Sequence, residues 1–295
     1  MKILVTGING FVGKILRPLL LEQGHEVFGL DLKGNEDNVF AVDITDSKKV
    51  EDTVLQISPQ AIIHLAGIAV VNFDNPKDLY DINVNGTLNL LLATSKLKEK
   101  PNFLFISSSQ VYGRVAERDL PIRESHFINP INHYGASKAA AEKIALAFHQ
   151  EAGLPLVIAR PFNHIGRGQT TNFVLPKIVE AFKKKEASLT LGNINVERDF
   201  LDVRDIAVAY LKLIENFSDG KIYNIASGVG ISLAKLIEKL EELTGHKPKI
   251  IKDQALFRKN EIASVLGAAN LLKKKIDWQP KFKLEETLAW MLLDE

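Results

Sequence analysis

The sequence contains no cysteine, and only two methionines and two tryptophans. Missing thiols exclude disulfides and thiolate metal sites, and they fit a reducing compartment. Charge of one sign is also missing: 37 Lys and Arg stand against 36 Asp and Glu, a formal net charge of +1. A near-neutral chain gives no electrostatic reason to expect nucleic acid or a membrane surface as partner. No apolar run approaches the roughly 20 residues of a membrane span. Met1 leads straight into a short strand-like run, without the longer apolar core of a secretory signal. The expectation is a soluble cytoplasmic protein. The short basic runs 183–185 and 273–275 read as solvated helix ends.

What is there is alternation. The runs KILVT (2–6), EVFGL (26–30), AIIHL (61–65), NFLFI (102–106) and LVIA (156–159) read as buried strands. Helical patterns lie between them over 12–23, 48–56, 78–98 and 134–151. Continuous apolar strands separated by helices predict a parallel sheet covered on both faces, a doubly wound α/β (Rossmann) domain over 1–160. The pattern loosens after Pro161. Helices are expected over 172–185, 203–216, 231–244 and 284–293, with short strands near 188–191, 198–201 and 221–225. Residues 161–295 are expected to form a smaller C-terminal α/β substrate lobe, with re-entry of the chain into the large domain left open.

The stretch TGINGFVG places Gly7, Gly10 and Gly13 directly after the first strand. Glycines permit a tight turn and close approach of a pyrophosphate, and the next helix offers free N–H groups and a positive dipole end. Asp31 follows Gly13 by 18 residues at the end of the second strand. A carboxylate there can accept from ribose hydroxyls and repels a 2′-phosphate, which favours NAD; nearby Lys33 keeps NADP open.

YGASK puts Tyr134 and Lys138 four residues apart, on one face of a helix. A neighbouring ammonium and an oxidised nicotinamide would favour the phenolate over the ordinary phenol. Such a tyrosine can exchange a proton with a sugar hydroxyl or ketone while hydride moves. A serine from SSSQVYG (107–113) can donate to the same oxygen. His64, His133 and His164 are not at metal-ligand spacing with carboxylates, so no metal is expected. RDFLDVRD (198–205), Arg198 apart, reads as a salt-bridged strand–helix junction.

Taken in order, TGINGFVG, Asp31, HLAG (64–67), NVNGT (83–87), SSSQVYG, YGASK and RPFN (160–163) resemble the extended short-chain dehydrogenase/reductase family from residue 1 to about 290. The resemblance implies Ser108, Tyr134 and Lys138 as catalytic residues. It implies cofactor contacts at Gly7, Asn9, Gly10, Phe11, Val12, Gly13, Asp31, Asp43, Ile44, Leu65, Ala66, Gly67, Asn83 and Pro161, besides Tyr134 and Lys138. Members acting as nucleotide-sugar 4,6-dehydratases carry glutamate where this chain has Gln110. Glutamine cannot move that proton, which disfavours dehydration and leaves reduction, oxidation or epimerisation.

The C-terminal half is similar to the branch handling GDP-linked 6-deoxyhexoses, above all the GDP-4-keto-6-deoxy-D-mannose reductases. That resemblance implies a nucleotide-sugar held by Ser108, Ser109, Asn163, Asn172, Val174, Lys177, Arg198 and Arg258, with His164 as a polar wall. The expected activity is NAD(P)-dependent reduction of the 4-keto group of a GDP-4-keto-6-deoxyhexose. The alternative is an NAD-dependent nucleotide-sugar 4-epimerase. Helices near 78–98 and 134–151 are expected to pair in a homodimer, as is common in the family.

Overall fold

Short apolar runs become the strands of one parallel sheet. The structure, a computed structural model, describes residues 1–34, 36–70, 75–257 and 261–293. The chain runs β1 (Lys2–Thr6), α1 (Gly13–Glu22), β2 (Glu26–Asp31), β3 (Val39–Ala41), α2 (Ser47–Ile57) and β4 (Ala61–His64). It continues with α3 (Pro76–Tyr80), α4 (Gly86–Ser95), β5 (Asn102–Ile106), α5 (His133–Ala152) and β6 (Leu156–Pro161). The seven strands lie in the order β10-β6-β5-β4-β1-β2-β3 once β10 (Lys221–Ile225) is added, and every neighbouring pair is parallel.

Alternation along each strand assigns its side chains to two cores. Val5, Ile63, Leu104 and Val157 pack with Leu16 and Leu20 of α1 and with Ile206 and Tyr210 beyond. Leu4, Ile62, Phe103 and Ile158 pack with Val54 of α2, Leu90 of α4 and Ala141 of α5. Burial on both faces is what continuous apolar strands require. The strand order turns between β1 and β4, and in sheets of this kind the crevice that takes ligands lies at the carboxyl ends of the strands at that turn.

After β6 the chain forms β7 (Asn163–Ile165), α6 (Val174–Lys183), β8 (Ser188–Leu191), β9 (Glu197–Asp202) and α7 (Val203–Glu215). Helix α7 packs against α1, and β10 pairs with β6, so 203–225 return to the large sheet. The remainder is β11 (Gly230–Ser232), α8 (Leu233–Thr244), β12 (Lys249–Lys252), β13 (Ser264–Val265), α9 (Asn270–Ile276) and α10 (Leu284–Leu292). Strand β9 pairs with β7, β11 and β13. A third core, including Ile178, Phe182, Leu236 and Leu288, joins α6, α8 and α10 beside it.

RDFLDVRD fastens these pieces together, largely through backbone amides. Asp202 pairs with Arg204 at 2.6 Å and accepts from Thr287 Oγ1. Asp205 accepts from the Lys281 and Phe282 N–H groups. Asp199, fully buried, accepts from the N–H groups of Ser227, Gly228 and Gly267 and from the Ser227 hydroxyl. The Asp202–Arg204 pair matches the salt-bridged junction read from sequence.

The helix expected over 78–98 is interrupted. A π-helical turn at Asp81–Asn85 separates α3 from α4. It aims the Asn83 side chain at Ile68 and Ser137, side-chain bonding that periodicity does not register.

Candidate active site

The glycine turn is built for close approach. Gly7 has φ +70°, and a Cβ there would lie 2.9 Å from the Ala66 nitrogen. A Cβ at Gly13 would lie 2.3 Å from the Ile8 carbonyl oxygen. Gly10 lies between them, bonded to the Gly7 carbonyl. Val12 precedes α1, whose first residue is Gly13, so the positive helix end faces the crevice. The turn meets the end of β2 through Asn9, whose N–H donates to Asp31 Oδ2 at 2.9 Å. Asp31 Oδ1 accepts from the Leu32 N–H. Phe11 stacks on His164, 6.1 Å between centroids and 6° between planes, which ties the turn to β7.

Around this turn stand the other expected cofactor segments. Asp43 Oδ1 accepts from both Thr45 N–H and hydroxyl. Ile44 is buried against Gly86, and its carbonyl accepts from Asn89. Leu65, Ala66 and Gly67 follow β4 directly. A Cβ at Gly67 would lie 2.8 Å from Asn83 Oδ1 and 3.6 Å from Lys138 Nζ. Pro161 ends β6, in register with Ile225 of β10. This arrangement fits a dinucleotide: a side-chain-free cradle at a helix N-terminus and a carboxylate at the next strand end.

The residues expected to be catalytic meet between β5 and α5. Ser108 caps a 3₁₀ turn over Ser109–Tyr112, its Oγ accepting from the Gln110 N–H at 3.2 Å. The same hydroxyl lies beside the buried Tyr134 phenol. Asn132 caps α5 by accepting from the Gly135 N–H, and it donates to Gln110 Oε1 at 3.1 Å. Gln110 therefore clamps the serine turn to the start of the tyrosine helix. Lys138 Nζ donates to the Ile106 carbonyl at 2.8 Å and lies 5.2 Å from the Phe105 ring centroid.

Burial sets the electrostatics. It pushes the Tyr134 phenol above its ordinary value, with the Ser108 hydrogen bond opposing. It pulls Lys138 down to about 8, with the Glu142 carboxylate opposing. Among the protein's own groups desolvation of the phenolate dominates; the shift expected toward the phenolate needs the ammonium together with an oxidised nicotinamide. With its own groups alone, Tyr134 keeps its proton at neutral pH.

The residues expected to hold a nucleotide-sugar are more dispersed. Ser109 is buried beside Ser108. Asn163 starts β7 and donates to the Asp199 carbonyl. Asn172, Val174 and Lys177 are exposed at and just before the start of α6. Arg198 donates to the Glu197 and Ala263 carbonyls. Arg258 lies outside the described residues. Among the described residues no group of three or more His, Asp or Glu is placed to hold a metal ion.

The model described as the NAD dependent epimerase/dehydratase family matches residues 3–226. The chain belongs to that family. Its relatives include GDP-6-deoxy-D-mannose reductase of Pseudomonas aeruginosa, 36% identical over 99% of this chain and 96% of the relative. GDP-6-deoxy-D-talose 4-dehydrogenase of Aggregatibacter actinomycetemcomitans is 35% identical over 90% of this chain and 88% of the relative. A structure of RMD from Pseudomonas aeruginosa complexed with NADPH superposes with a TM-score of 0.88 at 35% identity, covering 99% of this chain and 98% of that one. The chain is an NAD(P)-dependent enzyme of the epimerase/dehydratase family.

Two features of this family member escape reading by motif. Arg160, the first residue of RPFN, forms a bidentate pair with Glu142 at 2.9 and 2.6 Å, deep under α5. Its third nitrogen donates to the Tyr112 hydroxyl, which donates to Asn224. Glu142 stands four residues after Lys138, so a helical-face reading of YGASKAAAE could have found it. His64 is bonded at both ring nitrogens to threonines. His133, by contrast, is exposed and meets only Tyr80 among the described residues.

Proposed function

We propose that the chain reduces the 4-keto group of a GDP-4-keto-6-deoxyhexose, with NADPH or NADH as hydride donor. The observation that carries this reading is a buried, un-ionised Tyr134 beside Ser108, with the amide of Gln110 where a carboxylate would be needed for dehydration. A reduced nicotinamide supplies the hydride to C4. Tyr134 holds the proton that the carbonyl oxygen takes up, and Ser108 donates a second hydrogen bond to that oxygen as its charge develops. Lys138, fixed by the Ile106 carbonyl, places positive charge beside the pair. The two GDP-6-deoxyhexose relatives support the substrate class.

Asp31 supports NAD, whereas the P. aeruginosa relative was solved with NADPH. Two backbone amides already share the Asp31 carboxylate, which weakens its repulsion of a 2′-phosphate, so we assign both cofactors. The nucleotide-sugar is assigned to Asn163, Asn172, Val174, Lys177, Arg198 and Arg258. The fork of an arginine suits a diphosphate. Among the described residues no helix is long and apolar enough to cross a membrane. We assign residence in the cytoplasm, on the absence of cysteine, and a homodimer through α4 and α5, where Leu92 is 45% exposed.

The second reading, a nucleotide-sugar 4-epimerase, is favoured by the family description itself and uses the same three residues. The test is incubation with GDP-4-keto-6-deoxy-D-mannose and NADPH, and separately with UDP-glucose and NAD, followed at the nicotinamide absorbance with product analysis. Stoichiometric oxidation with the GDP sugar is expected. Interconversion of UDP-sugars without net cofactor change would replace the reductase by the epimerase.

A further inference from the structure

His64, the last residue of β4, is 1% exposed and takes no part in the reaction as proposed. Its Nδ1 lies 2.7 Å from Thr6 Oγ1, and its Nε2 lies 3.0 Å from Thr87 Oγ1. The neighbours fix the hydrogens. The Thr87 hydroxyl is 2.6 Å from the Asn83 carbonyl oxygen, which can only accept, so its single hydrogen goes there. Nε2 must then carry the ring hydrogen. A neutral ring leaves Nδ1 bare, so Thr6 donates to it and accepts from the Ala66 N–H at 3.2 Å. One direction of donation runs from Ala66 through Thr6, His64 and Thr87 to Asn83.

Both ends of this chain reach the site. Thr6 immediately precedes Gly7, and Gly7 packs on Ala66. Asn83 holds both backbone groups of Ile68 and donates to Ser137 Oγ, which donates to the Tyr134 carbonyl. Phe103 and Phe105 flank the imidazole at 6.1 and 5.8 Å. We infer that His64 is a positioning residue: as a neutral ring with its hydrogen on Nε2, it fixes the cofactor segments after β1 and β4 against the helix bearing Tyr134 and Lys138. Burial and the nearby Lys138 hold its pKa near 3, so the polarity persists at any working pH. The inference rests on reading the site as nicotinamide-dependent.

Thr87→Val keeps the volume but leaves Nε2–H without its acceptor, and Thr87→Ser restores the hydroxyl. Thr87→Val is expected to raise the cofactor KM and lower kcat, each by about tenfold, with Thr87→Ser recovering most of both. Histidine-selective ¹⁵N NMR of the full chain should show one ring neutral and protonated on Nε2 from about pH 8 to about pH 5. That ring is the one whose signal moves in Thr87→Val. Its hydrogen on Nδ1, or titration near the ordinary 6.5, overturns the inference. So does a Thr87→Val enzyme with wild-type KM and kcat. Tyr134→Phe, run in parallel, separates the two levels: full activity there would overturn the reading of the site itself, whereas its inactivity beside an unimpaired Thr87→Val overturns only the role of His64. Should Thr87→Val fail to fold, the ring is assigned by the shift it shows in Thr87→Ser, and its tautomer decides.

Discussion

The side proposed to hold the cofactor and the lobe proposed to hold the sugar are built on different terms. On the cofactor side Lys138, Glu142, Arg160, Asn83 and His64 are buried, and each has a partner of fixed geometry. At the start of α6, Asn172, Val174 and Lys177 stand in water. Buried, partnered groups are already in place when a ligand arrives and need little reorganisation. Exposed long side chains must be ordered by the ligand, at the cost of their rotamer freedom. On the proposed reading, the step common to the family is preorganised, while recognition of the particular sugar is left to adaptable surface groups.

Mutations should sharpen this contrast, and the largest effect belongs to the buried side. Tyr134→Phe should lower turnover by about 10²–10⁴-fold while cofactor affinity, read by fluorescence titration, stays near wild type. Next, Arg160→Met should cost about 3–5 kcal/mol in chemical denaturation, because it strands the buried Glu142 carboxylate. In the lobe, Arg198→Ala should raise the nucleotide-sugar KM by about ten- to a hundredfold and leave the cofactor KM unchanged. Arg198→Lys should recover part of that loss, since an ammonium lacks the paired fork. A cofactor KM that moved with Arg198 would erase the distinction between the two regions.

Smaller effects follow from titration and exposed charge. The unfolded chain protonates His64 near 6.5, but the folded ring resists to about 3. Between these values the unfolded state binds more protons, so stability falls as pH falls, by up to about 1.4 kcal/mol per pH unit from this residue. Lys138 has the same sign higher up: with its folded pKa near 8 against 10.5, stability should rise with pH across that window. Denaturant midpoints across pH measure both. Smallest, Asp31→Ser should shift the ratio of catalytic efficiencies toward NADPH by about fivefold or less, as suits a solvent-screened charge.

The large sheet was legible because β1, β4, β5 and β6 are unbroken apolar runs between helices. The glycine turn and YGASK were legible because backbone freedom and helical spacing leave local marks. Short pieces such as β3, β7, β11 and β13 were not, since two or three residues hold no period and their pairing comes from distant strands. Nor was the raised pKa of Tyr134, which depends on how deeply the fold buries it. The charged run at 198–205 misled for a related reason: Asp199 and Asp205 are satisfied by amides from remote loops that carry no sequence signature.

Strand β10 carries a consequence for how such enzymes can be recombined. It seals the outer side of β6 with a strand drawn from beyond residue 220, and α7 shields the face over α1. A fragment ending near residue 160 would leave β6 with a bare row of amide and carbonyl groups, an invitation to pair with another molecule. The two halves are therefore not interchangeable cassettes. A new sugar pocket could be grafted by exchanging the stretches on either side of 203–225, never by one crossover, and any transplant would have to hand that last strand back.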